Sequence, residues 1–175
     1  MNNNLIIRET ETGDLSSLRT LYQEAFTEEV LFPLVTKLFA DVQNTLHLTA
    51  VMDGRLVGHI TFTKCHASPK NIPLSLLGPM AVLPECQKQG IGSKLIAAGL
   101  EQLRTQGVAK VLVLGDPSFY GKSGFITESG ITPAYPIPED YVPGWQSLSF
   151  LDDAPEVSGK LQVTTPWQKV ELWSN

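Results

Sequence analysis

The chain predicts a mixed α/β fold: a single domain with a twisted central sheet flanked by helices. Three stretches carry that expectation. Asp53-Gly54 separates two apolar, β-branched runs, Leu46 to Met52 and Leu56 to Cys65, and such a dipeptide between such runs is a strong antiparallel hairpin signal. Leu74 to Leu83 passes through a glycine turn into a helix with one apolar side, Ile91 to Gln106, and then into a second apolar strand, Lys110 to Leu114. Strand-helix-strand units of this kind join parallel strands by a right-handed crossover, so the sheet holds both pairing senses. With 175 residues, 42% of them hydrophobic, the chain builds one core, and residues 1–175 are read as one domain.

In chain order, Leu5-Ile-Ile-Arg-Glu reads as a short strand, and Asp14 is placed to cap the segment after it. Leu15, Leu18, Leu21, Tyr22, Ala25 and Phe26 recur at helical spacing. A second helix is expected from Thr27 through Val30, Leu34, Leu38 and Phe39, with Pro33 near its first turn. After the hairpin, Pro69 to Pro73 forms a turn, and Gly78-Pro79 within the next strand predicts a bulge or bend. The helix after the glycine turn carries Ile91, Leu95, Ile96, Leu100 and Leu103 on its apolar side and stops at Gly107. From about residue 133 to 175 the texture turns irregular and aromatic. Tyr135, Tyr141, Trp145, Phe150, Trp167 and Trp173 are too apolar for a disordered tail, and strands are expected at Trp145 to Leu151 and Lys160 to Thr164.

The glycine turn is the informative motif. Gly90 and Gly92 let the backbone approach a ligand closely, and the amides that open the following helix carry partial positive charge, so an anion fits there. A dinucleotide fingerprint needs a third glycine where Leu95 stands and an acidic residue in the region occupied by Lys110-Val-Leu-Val-Leu114. A triphosphate loop needs a different order from Gly92-Ser93-Lys94. What remains is Gln87-x-x-Gly90-x-Gly92 after Val82-x-Pro84. This resembles the coenzyme A pyrophosphate loop of the GNAT superfamily of N-acetyltransferases. Tyr120 before Gly124-Phe125 agrees with the superfamily pattern, and the resemblance is strongest from Leu77 to Phe125. Leu77-Gly-Pro-Met-Ala-Val-Leu-Pro and Leu114-Gly-Asp-Pro-Ser-Phe-Tyr are similar to a bacterial subgroup of these proteins.

The resemblance implies a cofactor core at about 74–127 and acetyl-CoA-dependent transfer to a primary amine of a small molecule or an exposed amino group. It implies cofactor contacts at Met80, Ala81, Val82, Gln87, Lys88, Gln89, Gly90, Ile91, Gly92, Ser93, Phe119 and Tyr120. The amides around Gln89 to Ser93 would take the pyrophosphate, and a backbone N–H near Met80 to Val82 would polarise the thioester carbonyl. Tyr120 is the candidate general acid, because a phenol of ordinary pKa stays protonated at neutral pH. For the base, Asp116, His59 and Glu24 are candidates, with Asp116 at the end of a strand. A non-catalytic acetyl-CoA sensor and a transferase of longer acyl-CoA stay open beside the main reading. The region around Phe26 to Phe32 and the carboxyl-terminal segment are expected to shape the acceptor pocket.

Composition narrows the rest. Eighteen acidic against thirteen basic side chains give a net charge of −5, which argues against broad nucleic-acid binding. No long apolar run or signal-like start occurs, so a soluble cytoplasmic protein without a membrane anchor is expected. Cys65 and Cys86 read as free thiols, no metal cluster is expected, and a homodimer through the carboxyl-terminal strands is left open. Cys86 lacks a neighbouring histidine in sequence, which speaks against a nucleophilic mechanism.

Overall fold

The computed structural model describes residues 3–151 and 157–174. The backbone groups into two compact units interleaved along the chain: Met1–Phe62 with Gly78–Glu101, and Thr63–Leu77 with Gln102–Asn175.

The first unit holds β1 (Leu5–Glu9), α1 (Leu15–Ala25), α2 (Phe32–Ala40) and β2 (Thr45–Met52). It also holds the start of β3 (Arg55–Ser68), the end of β4 (Ile72–Val82) and most of α3 (Ile91–Arg104). β1 pairs antiparallel with β2, Leu5 opposite Met52 and Glu9 opposite Leu48. The hairpin turn is the expected one, with Asp53 at φ +51° and Gly54 at +81°, the left-handed pair that matches the twist of the flanking strands. The apolar stripe of α3 is buried as its spacing predicts, with Ile91 and Leu95 against Gly58 of β3. On the alternate residues of β3 the side chains differ in kind, and Tyr22 of α1 reaches His59 there.

Two expectations are corrected in this unit. The second helix starts at Phe32, not Thr27: Pro33 sits in its first turn, where the missing N–H is harmless, and Val30 ahead of it is 85% exposed. Asp14 does not cap α1. A 3-10 turn (Thr12–Asp14) precedes the helix, and the carboxylate instead takes both Arg8 Nη atoms at 2.7 and 3.0 Å and the Glu11 amide at 2.8 Å. A bidentate, charge-assisted pair outweighs a single neutral amide.

The second unit adds β5 (Lys110–Leu114), α4 (Pro117–Tyr120), β6 (Ile126–Thr127), β7 (Ile131–Thr132), β8 (Trp145–Ser149), β9 (Gly159–Gln162) and α5 (Glu171–Ser174). β4 and β5 are parallel, Leu74 opposite Lys110 and Leu76 opposite Leu112, as the crossover requires. β8 runs antiparallel to β5 and also pairs with β6, while β9 pairs with the end of β3 and with β7. The expected strands at Trp145 and Lys160 are present. Gly78 has φ +136°, a backbone that favours glycine, at the expected bend in β4.

The aromatic carboxyl-terminal segment builds core. Trp145 donates to the Ile131 carbonyl at 2.7 Å, Trp167 to Thr63 Oγ1 at 3.1 Å and Trp173 to the Trp167 carbonyl at 3.1 Å. The Trp173 ring lies 6.1 Å from each of the other two indoles. Tyr141 departs from the expectation and is 40% exposed. Among the described residues no helix is long and apolar enough to cross a membrane.

Candidate functional site

The glycine turn is built from β4 outward. After Val82 a 3-10 turn (Pro84–Cys86) leads to Gln87 in extended backbone, then to Lys88 at φ +60° and Gly90 at φ +82°. Gly92 already lies within α3, so Gly90 and Lys88 supply the left-handed conformations. The helical ladder opens with the Lys94 amide donating to the Gly90 carbonyl at 3.0 Å. The amides of Ile91, Gly92 and Ser93 therefore precede the ladder, at the positive end of a fourteen-residue helix. A Cβ built on Gly90 would meet nothing within 4 Å, so the turn faces open space. Three free amides and an open approach suit a phosphate group.

The glutamines shape the turn. Gln87 Nε2 donates to the Val82 carbonyl at 3.1 Å, and Gln89 Nε2 donates to the Glu85 carbonyl at 3.2 Å. Arg55 pairs with Glu85 at 2.8 Å on the exposed side of the turn. Just upstream, Met80 and Val82 are half-buried while Ala81 is buried, as period-two alternation requires. Whatever Ala81 contributes to a ligand comes from its backbone.

Asp116, Phe119 and Tyr120 lie in the second unit. Asp116 is exposed at the N-cap of α4, where its Oδ1 accepts from the Ser118 amide at 2.9 Å and from Ser118 Oγ at 2.8 Å. These bonds hold its carboxyl below the usual range, the amide contributing most. They favour the ionised form and weaken Asp116 as a proton acceptor. Tyr120 has the edges of Phe119 and Phe125 packed against its ring, at centroid separations of 5.0 and 5.8 Å. Burial pushes its phenol up to about 12. The phenol is therefore protonated across the neutral range.

Of the remaining candidates, Glu24 is exposed on α1, and His66 is exposed near the end of β3. Cys86 is buried and its thiol is pushed up by that burial, which disfavours the thiolate a nucleophile needs. His59 is fully buried, its Nδ1 2.8 Å from Tyr22 Oη and its Nε2 3.1 Å from His47 Nδ1, which is also 3.1 Å from Thr61 Oγ1. Burial depresses both histidines, His47 to about 4, so both are neutral. Among the described residues no three of His, Cys, Asp and Glu gather to hold a metal ion. Sequence reasoning overlooked His47 and Gln146; a polar side chain at a strand position otherwise suited to an apolar residue is the signal for each.

The Acetyltransferase (GNAT) family pattern matches residues 15–125, more than half of the chain. The chain belongs to the GNAT family of acetyltransferases. It is 34% identical over 164 residues to the uncharacterised N-acetyltransferase YjhQ of Escherichia coli, covering 90% of this chain and 91% of that one. A GNAT acetyltransferase from Brucella melitensis, solved with acetyl-CoA, aligns at 29% identity with a TM-score of 0.76, covering 94% of this chain and 99% of that one. The GNAT protein YhbS of Escherichia coli, solved with CoA, shares the fold at a TM-score of 0.86 and 24% identity, over 97% of this chain and 94% of that one. The mixed α/β fold is that of GNAT acyltransferases, as the strand order and glycine turn anticipate.

Proposed function

We propose that this GNAT acyltransferase uses acetyl-CoA as donor and passes the acetyl group directly to a primary amine of a small molecule or to an exposed amino group. The glycine turn carries the reading: left-handed Lys88 and Gly90, three amides ahead of the α3 ladder and open space above Gly90 form an anion cradle without a metal. The relative from Brucella melitensis, solved with acetyl-CoA, supports the donor. In this reading Ile91, Gly92 and Ser93 take the pyrophosphate through their amides, Gln87 and Gln89 brace the turn, and the backbone at Met80 to Val82 polarises the carbonyl. The amine nitrogen bonds to the thioester carbon, the carbon–sulfur bond breaks, the nitrogen releases one proton to solvent, and the leaving sulfur takes one up. Tyr120 keeps the proton-donor role that the resemblance implies, with a phenol that is protonated across the neutral range. Phe119, whose ring makes a T-shaped contact with that of Tyr120, takes the cofactor-packing role. Asp116, held by its cap, is not assigned the base.

The test is release of free thiol from acetyl-CoA by the purified protein with a panel of primary amines, each product checked by mass. Acetylated amine is expected, and Tyr120→Phe should lower kcat about 100-fold or more while the KM for acetyl-CoA stays within about twofold. Turnover with longer acyl-CoA thioesters and none with acetyl-CoA would replace the donor. Binding without turnover across the panel would favour a sensor.

A further inference from the structure

Gln146 is the second residue of β8, which lies between β5 and β6, and it stands opposite Val113 on one side and Thr127 on the other. It is 1% exposed. An amide at such a position costs free energy unless its donors are satisfied, and a β-branched apolar residue would be the default. Here Nε2 donates to the Gly115 carbonyl at 3.1 Å and to the Gly144 carbonyl at 3.2 Å. The Gly144 carbonyl also accepts from the Gly115 amide at 3.0 Å, so Gly115 is held at both its N–H and its C=O. A Cβ on Gly144 would lie 2.6 Å from the Gly115 oxygen, so the two glycines are pressed together as the clamp requires.

What lies on Gly115 is the ring of Tyr120. A Cβ at Gly115 would sit 2.4 Å from Tyr120 Cε2. The ring thus rests on a glycine backbone, with Phe119 and Phe125 at its sides. The sides are the tyrosine's own neighbours along the chain. The floor is fixed by the Gly144 carbonyl and, from β8, by the buried Gln146 amide. We propose that Gln146 is the positioning residue for Tyr120, its side-chain amide clamping Gly115 and Gly144 so that the phenol is held in one orientation. This rests on the proton-donor role assigned to Tyr120 above, whereas the positioning itself can be read without any reaction.

The experiment uses the full chain with 3-fluorotyrosine in place of its four tyrosines, each fluorine resonance assigned by substitution to Phe. Gln146→Met keeps the length and removes both donors; Gln146→Thr is strand-compatible and too short to reach. In either folded variant the Tyr120 resonance should shift and broaden, and a soluble paramagnetic probe should broaden it further. The resonance of Tyr135, which packs on Trp173 in the same unit, should stay in place and report any general loosening. With an accepted amine, kcat should fall about 100-fold, the cost of a misplaced catalytic group, while the KM for acetyl-CoA is kept. An unmoved Tyr120 resonance in a folded variant overturns the proposal. Equal movement of Tyr120 and Tyr135, or loss of folding in both variants, also overturns it, because Gln146 would then be holding the fold as a whole. Full activity in Tyr120→Phe removes the proton-donor reading separately and leaves the resonance result standing.

Discussion

At the scale of single residues, the buried pair His47 and His59 makes the stability of the first unit depend on pH. Burial is the main cause of depression for both; the like partner adds to it at His59, where Asp14 opposes it, and the nearby Leu38 backbone opposes it at His47. A histidine whose folded pKa lies below its unfolded value binds its proton more readily when unfolded. Stability is therefore fully present above the unfolded value of 6.5 and falls as pH drops toward about 4. For His47 alone the loss is on the order of 3 kcal/mol, and His59 adds with the same sign. Urea midpoints measured between pH 7 and pH 4 should fall, and the fall should shrink in a His47→Gln, His59→Gln variant; equal falls in both proteins would remove the histidines from the account. The His47 Nε2 atom is buried without a hydrogen-bond partner, so this cluster is already imperfectly satisfied in its neutral form.

Among the elements, α3 and β3 approach so closely that a Cβ at Gly99 would be 2.1 Å from the Phe62 ring. Alanine is the better helix former by about 1 kcal/mol, yet Gly99→Ala should lower stability, since overpacking a buried site costs about 1–3 kcal/mol. Phe62→Leu should make the same change nearly neutral, read as a coupling in a double-mutant cycle. In the second unit Lys110 Nζ and Glu128 Oε1 are 2.9 Å apart, with the glutamate side chain 2% exposed. Ser147 Oγ and the amides of Gly130 and Ile131 complete that carboxylate. Lys110→Met should cost about 3–5 kcal/mol by chemical denaturation, as breaking a buried pair leaves a charge uncompensated. The hairpin and the crossover helix were legible in the sequence because Asp53-Gly54 and the stripe from Ile91 to Leu103 are local signals. β6 and β7, two residues each, were not, because each exists only through a strand distant in sequence. The start of α2 was misplaced since apolar spacing continues upstream of Pro33, and Asp14 was misassigned because its partner Arg8 belongs to another element.

For the molecule as a whole, the glycine turn was legible because its pattern is written in consecutive residues, Gln87 to Ser93. The clamp on Tyr120 was not, since Gln146 meets Gly115 across thirty-one positions of chain. The family match ends at Phe125, while the three tryptophans lie beyond it and bury their indoles in the second unit. Trp173→Ala should therefore destabilise the chain by about 3–5 kcal/mol, a loss readable as a lower denaturation midpoint. Isothermal titration of acetyl-CoA and of free CoA into the full chain and into a folded Gly90→Trp, Gly92→Trp variant tests the proposed anion cradle. Micromolar binding of both ligands to the native chain is expected and none to the variant, because the indole at Gly90 fills the open space above the turn. No binding to the native chain, or equal binding to both proteins, would contradict it.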